Sequence, residues 1–103
     1  MHAFVKIIRN GTHTPAGKLA DAEIHFTGGA LNGLKLVGFA VWARRDGEGQ
    51  NVTFPARVYT VGGAQHRYAL LRPVDDPSAQ EGLRQLVLQA YQADDQQSVR
   101  ENR

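Results

Sequence analysis

A chain of 103 residues, 42% hydrophobic and 21% charged, has the make-up of one small globular domain with a single modest core. It contains no cysteine, which excludes disulfides, thiolate nucleophiles and thiolate metal sites. The net charge of +2 is too small to identify a partner by itself, and no apolar run reaches the roughly 18 residues of a membrane span.

The N-terminal stretch MHAFVKIIRNG has neither the long apolar core nor the small-residue cleavage site of a secretory leader, so a cytoplasmic protein with no membrane partner is expected. Residues 3–8, AFVKII, are β-rich and run into the turn signal Asn10-Gly11. Residues 12–17 read as a loop. In KLADAEIHF, residues 18–26, Leu19, Asp21, Glu23 and His25 alternate with Ala20, Ala22, Ile24 and Phe26, the pattern of a strand with one buried face. Residues 33–45, GLKLVGFAVWARR, are nearly all apolar and predict a central strand, with Gly38 marking a bend or bulge. The hairpin turn DGEG at 46–49 leads to QNVTFPARVYTV, residues 50–61. A second turn at Gly62-Gly63 leads to HRYALLRPV, residues 66–74.

After residue 74 the period changes from two to about 3.6. Asp76-Pro77 is a helix start, with aspartate as N-cap and proline at the first helical position. Leu83, Leu86, Val87, Ala90 and Tyr91 form one apolar stripe, and Leu88 lies off it, a position suited to a wider or intersubunit contact. The stripe ends at Asp94-Asp95. The expected fold is α+β: an antiparallel β-meander of about five strands followed by one C-terminal helix packed on the sheet. Residues 1–93 form the domain, and 94–103 are expected to be a polar, disordered tail.

The usual catalytic constellations do not form in this sequence. His2, His13, His25 and His66 have no mutual ligand spacing, so no metal site is expected. The glycine pairs at 28–29 and 62–63 lack the lysine and the strand-turn-helix setting of a phosphate loop. Asp75 and Asp76 read as helix-capping acids, and Ser78 and Ser98 have no visible base. The expectation is a non-enzyme with no cofactor and no small-molecule substrate.

Charge distribution carries more information than the total. Residues 35–72 hold six basic residues (Lys35, Arg44, Arg45, Arg57, Arg67, Arg72) against Asp46 and Glu48, a balance of +4, whereas residues 73–103 balance to −3. Arg57 and Tyr59 alternate to one strand face, joined by Asn51 and Thr53 if Pro55 does not shift the register, Arg67 and Arg72 belong to the next segment, and Arg44 and Arg45 flank the DGEG turn. Arginine's planar fork suits phosphate, and a neighbouring ring can stack on an unpaired base. Arg44, Arg45, Arg57, Tyr59, Arg67 and Arg72 are therefore the candidate nucleic-acid-binding residues. Trp42 and Phe54 are assigned to the core instead, because a small sheet needs large side chains to cover it. Pro55 interrupts an otherwise good strand. It either blocks pairing on an edge or marks a bulge that re-aims Arg57.

Gly49, Val52, Pro55-Ala56-Arg57, Arg67, Arg72-Pro73 and the helical run Val87-Leu88-Gln89-Ala90-Tyr91, preceded by the apolar strand Leu34 to Val37, occur in an order and spacing that resemble the stage V sporulation protein G (SpoVG) family of bacterial regulators. The likeness spans about residues 18–92. It implies a small α+β domain that dimerises through its strands and binds DNA or RNA in a regulatory role. Members of that family carry basic residues in the first helical turns. Here that stretch, AQEGLRQ, has only Arg84, which moves the expected contacts to the sheet arginines. The rival expectation is an adaptor that pairs with a protein partner through an exposed strand around Val58, Tyr59 and Val61, without nucleic acid.

Overall fold

A computed structural model describes residues 2–9 and 16–101, with side chains described as far as Asp94. The expected Asn10-Gly11 turn and most of the 12–17 loop lie outside the described residues. Among the described residues six strands, with a 3-10 turn at Gly29–Leu31 between the second and third, precede one α-helix: β1 (Ala3–Arg9), β2 (Lys18–Phe26), β3 (Lys35–Ala43), β4 (Gln50–Thr53), β5 (Ala56–Val61), β6 (Ala64–Ala69) and α1 (Ser78–Glu101). The fold is α+β. Strands β1 to β4 form a four-stranded antiparallel sheet in chain order, and β5 with β6 forms a separate two-stranded sheet.

The alternation read in residues 18–26 is the burial pattern of β2: Ala20, Ala22 and Ile24 are buried on the face that the helix covers. Their neighbours across the sheet, Phe39 and Val41 on β3 and Val52 on β4, complete that face. Val87 and Tyr91 bring α1 onto it, and the helix reaches both outer strands, β1 and β4. The apolar face of the helix is rotated from the simple stripe. Leu83 and Leu88 pack against the core with Val87 and Tyr91, whereas Leu86 and Ala90 line a groove beside Ala3, Phe4 and Val5 of β1. Leu88 therefore has an intrachain role. Arg9 holds the far end of the helix: its Nε donates to Asp94 at 2.6 Å and its guanidinium lies 4.7 Å over the Tyr91 ring.

The N-terminal end of α1 follows the expected capping. The Asp76 carboxylate accepts from the Ser78 backbone N–H at 3.0 Å and the Ser78 hydroxyl at 2.7 Å, and these bonds hold its pKa below the ordinary aspartate value. The C-terminal boundary lies later than the apolar stripe suggests. The backbone stays helical through Glu101, because 94–101 contain neither glycine nor proline to stop it.

Two departures from the expected meander matter for the site. First, residues 50–61 are not one strand. Phe54 and Pro55 separate β4 from β5, so the chain leaves the main sheet and begins a second one. The missing N–H of Pro55 suits a point where pairing with β3 must end. Second, the last strand is Ala64–Ala69, starting earlier than residue 66 and ending before Leu70. The β5–β6 hairpin projects as an arm, with every residue from Arg57 to Ala69 exposed.

Gly38 sits where the arm leaves the body. The register between β2 and β3 slips there, with Ala22 opposite Phe39 but Ile24 opposite Leu36, so β3 carries an extra residue. Gly38 has φ +109°, and a Cβ at this position would lie 3.1 Å from the Pro55 Cβ. The bulge read from the sequence at Gly38 is thus the seat on which the strand-ending proline rests.

Candidate nucleic-acid interface

Residues 49–74 contain no aspartate or glutamate, and they include the whole arm. The arm's Gly62-Gly63 turn, with φ of 57° and 82°, is a two-residue loop that sets Val61 opposite Ala64. That register places Tyr59 opposite His66 and Arg57 opposite Tyr68. Because directly opposed residues in an antiparallel pair share a face, Arg57, Tyr59, His66 and Tyr68 lie together. The Tyr59 and His66 rings stack at 5.3 Å with 20° between planes. Arg72, just beyond β6, joins the same group. Its Nε donates to the Ala69 carbonyl at 2.9 Å, and its guanidinium lies 4.1 Å over the Tyr68 ring. Arg57, Tyr59 and Tyr68 line a shallow recess of ≈ 370 Å³. The result is a row of cations and rings along one side of the ribbon, with Tyr59 at 42% and Tyr68 at 50% exposure.

Other expected site residues lie elsewhere. Arg67 is opposite Val58, on the reverse face of the arm from Arg57. Arg44 and Arg45 belong to the β3–β4 turn, where Arg44 ion-pairs with Asp46 at 3.4 Å. That turn is separated from the arm by the length of β4, about 13 Å for four residues at strand rise. Of the six residues, Arg57, Tyr59 and Arg72 form a group; Arg67, Arg44 and Arg45 do not join it. Asn51 and Thr53 stay in β4 and so leave the Arg57 face as well. Trp42 is not in the core. Phe39 and Val41 point inward, so Trp42 points to the outer face, where its Nε1 donates to the Thr53 hydroxyl at 2.9 Å. Phe54 is in the core as expected, edge-on to Phe39 at 5.4 Å.

His66 and Tyr68 join this candidate group although charge and composition do not single them out. The signal was present: a two-residue loop fixes every opposing pair, and counting outward from Gly62-Gly63 gives both partners. The only cation early in the helix, Arg84, is engaged in packing: its Nη1 donates to Glu81 at 2.8 Å and its guanidinium lies 5.3 Å from the Phe54 ring centre. The outer face of the main sheet carries both signs. On it Glu23 meets His25 at 2.9 Å and Lys35 at 3.3 Å, and the His25 bond first, then Lys35, lowers the Glu23 pKa below the ordinary glutamate value. An anionic polymer has no such mixed pattern to cross on the arm.

Among the described residues no three histidine, cysteine, aspartate or glutamate side chains gather as a metal site, and no helix is long and apolar enough to cross a membrane. Comparison with protein-family models, with curated proteins and with solved structures finds no match.

Proposed function

We propose that this protein is a nucleic-acid-binding regulator of the SpoVG type, acting as a dimer and contacting phosphates through arginines of its arm. The observation that carries the reading is the clustering of Arg57 and Arg72 with Tyr59, His66 and Tyr68 on one face of a hairpin free of acidic residues. Arginine forks supply paired donors to phosphate oxygens, and contacts of that kind position a nucleic acid with little reading of its sequence. Dimerisation is supported by the arm's exposure. A two-stranded hairpin is at best marginally stable by itself, and Val58 on the reverse face is 48% exposed, available to a second subunit.

The test is fluorescence anisotropy with labelled DNA and RNA across a salt series. Two arginines per arm, about four contacts in a dimer, give a slope of log affinity against log salt of about −3 to −4. Arg57→Ala should weaken binding and flatten that slope while the protein stays folded. Unchanged affinity in a folded Arg57→Ala, Arg72→Ala double variant would remove this face as the binding site.

The adaptor reading is favoured by one feature, the exposed apolar Val58, Val61 and Leu70 beside two open strand edges. An extended partner added to such an edge releases few counterions. Absence of nucleic-acid binding even at low salt would put this reading first.

A further inference from the structure

We infer that the arm's cation-and-ring face takes unpaired nucleic-acid strands, with bases stacked on Tyr59 and Tyr68 and the backbone held by Arg57 and Arg72. This rests on the nucleic-acid reading above and narrows it to one class of ligand.

The argument starts from what each form of nucleic acid presents. In a duplex the base faces are covered by their neighbours, so a protein ring finds only edges and backbone. In a single strand the faces are open and any base can lie against a ring. The arm offers rings in the positions that such a strand needs. Along its face Arg72 lies over Tyr68, Tyr68 stands directly across from Arg57, and the next level of the ribbon holds Tyr59 stacked with His66. Successive residues on one face of a strand are about 7 Å apart, close to the spacing of extended nucleotides, so the Arg57–Tyr68 level and the Tyr59–His66 level each offer a ring about one nucleotide apart, with Arg57 beside them for the backbone. The face has none of the side-chain amides that pair with adenine edges in a major groove; the arm's one such residue, Gln65, lies on the reverse face with Val58, Thr60 and Arg67.

The rings are exposed although each has found an intramolecular neighbour. Tyr59 keeps one face for His66 and Tyr68 one for Arg72, which leaves the recess beside Arg57 as the place where a base enters. The His66 and Arg72 contacts fix the tyrosine rings in position before a ligand arrives. A prepositioned ring loses little side-chain freedom on stacking. Charge complementarity identifies the occupant as a polyanion rather than an apolar peptide: the whole stretch from Glu48 to Asp75 contains arginines and a histidine but no acid between those two ends.

The experiment compares oligothymidine, oligouridine and a mixed-sequence duplex, each about ten nucleotides long, against the full chain by anisotropy at low salt and at roughly 0.15 M. The expected result is single-strand binding about ten-fold or more tighter than duplex binding, with the DNA and RNA strands separating any contribution of the 2′-hydroxyl. Tyr59→Leu keeps the apolar bulk but removes the π-face. It should weaken single-strand binding roughly ten-fold and abolish ligand quenching of one tyrosine, whereas Tyr59→Phe should bind as the parent does. Circular dichroism and Trp42 emission establish that each variant is folded. Duplex binding as tight as single-strand binding, or a folded Tyr59→Leu that binds single strands normally, would overturn the inference while leaving phosphate binding by the arm intact. Failure to bind any of the three at low salt would overturn both.

Discussion

Replacing Gly38 by alanine tests the joint between the body and the arm. The substitution meets two separate costs. The backbone φ of +109° lies where L-residues are strained, a cost of about 1–3 kcal/mol. The added methyl also sits 3.1 Å from the Pro55 Cβ and 3.3 Å from its Cα, inside normal contact distance, and Pro55 is a ring with little freedom to yield. Overpacking of that kind adds about 1 kcal/mol or more. The sum, about 2–4 kcal/mol, is a large fraction of the 5–15 kcal/mol available to a small domain. Urea unfolding followed by Trp42 fluorescence should show a midpoint lower by about 1 M or more. Gly47→Ala is the internal control. Its φ is +77° but nothing lies within 4 Å of the added methyl, so it carries the backbone strain without the contact, about 1–2 kcal/mol. If Gly38→Ala costs no more than Gly47→Ala, the packing of Pro55 against the bulge contributes nothing and the account of the joint is wrong.

Gly82 in the first turns of α1 has open space around its Cα, so Gly82→Ala should stabilise the protein by about 0.5–1 kcal/mol in the same urea assay. The Glu23 carboxylate, held by His25 and Lys35, has a folded pKa below its ordinary value of 4.5. Its contribution is therefore complete above that value and is lost as pH falls through the lowered folded pKa; Glu23→Gln should lower the midpoint slightly at neutral pH and flatten the acid limb of a midpoint-against-pH curve, so that the two proteins converge at low pH. Asp94→Asn breaks the ion pair with Arg9, whose side chains are 32% and 39% exposed, so the loss should be only about 0.2–1 kcal/mol and should shrink at high salt.

The parts of the fold that were legible in the sequence are those governed by short-range periodicity. Residues 18–26 alternate cleanly because β2 is interior to the sheet and has one face under the helix, and the assigned strand has the same limits as the pattern. Asp76 capping and the Gly38 bulge were also readable, since each depends on one residue type at one local geometry. What could not be read was which sheet a strand joins. Residues 50–61 satisfy β propensity on both sides of Pro55, and propensity is silent about the change of partner that places β4 and β5 in different sheets. The same change removed Asn51 and Thr53 from the face of Arg57. The grouping of Arg57 with Arg67 failed for a different reason. Both are strand arginines, but the parity of the hairpin register, which Gly62-Gly63 determines, sets them on opposite faces. Trp42 was assigned by size, whereas its side of β3 is decided by its neighbour Val41, which takes the inward position. The helical stripe was correct in kind and rotated in detail, because the two outer strands, β1 and β4, decide which side of the stripe is covered.

The chain-order topology has a kinetic consequence. Among the described residues, every strand pairing joins strands consecutive in sequence, so each closes over a short stretch of chain. Such a sheet assembles without a search over distant partners, which is the arrangement that favours rapid folding in β-rich domains. The exception is the contact that brings the end of the helix back to the first strand. Arg9 and Asp94 are 85 positions apart, so ordering them early would close a loop most of the chain long. The meander can therefore exist as a zipped but uncovered sheet, and docking of α1 on β1 and β4 is the step that excludes water from its core. The β5–β6 hairpin stands outside that step altogether. Its register is set by its own two-residue loop and it meets the body at the Gly38–Pro55 joint, so the exposed surface proposed to meet nucleic acid can be remodelled with little effect on how the body of the protein folds.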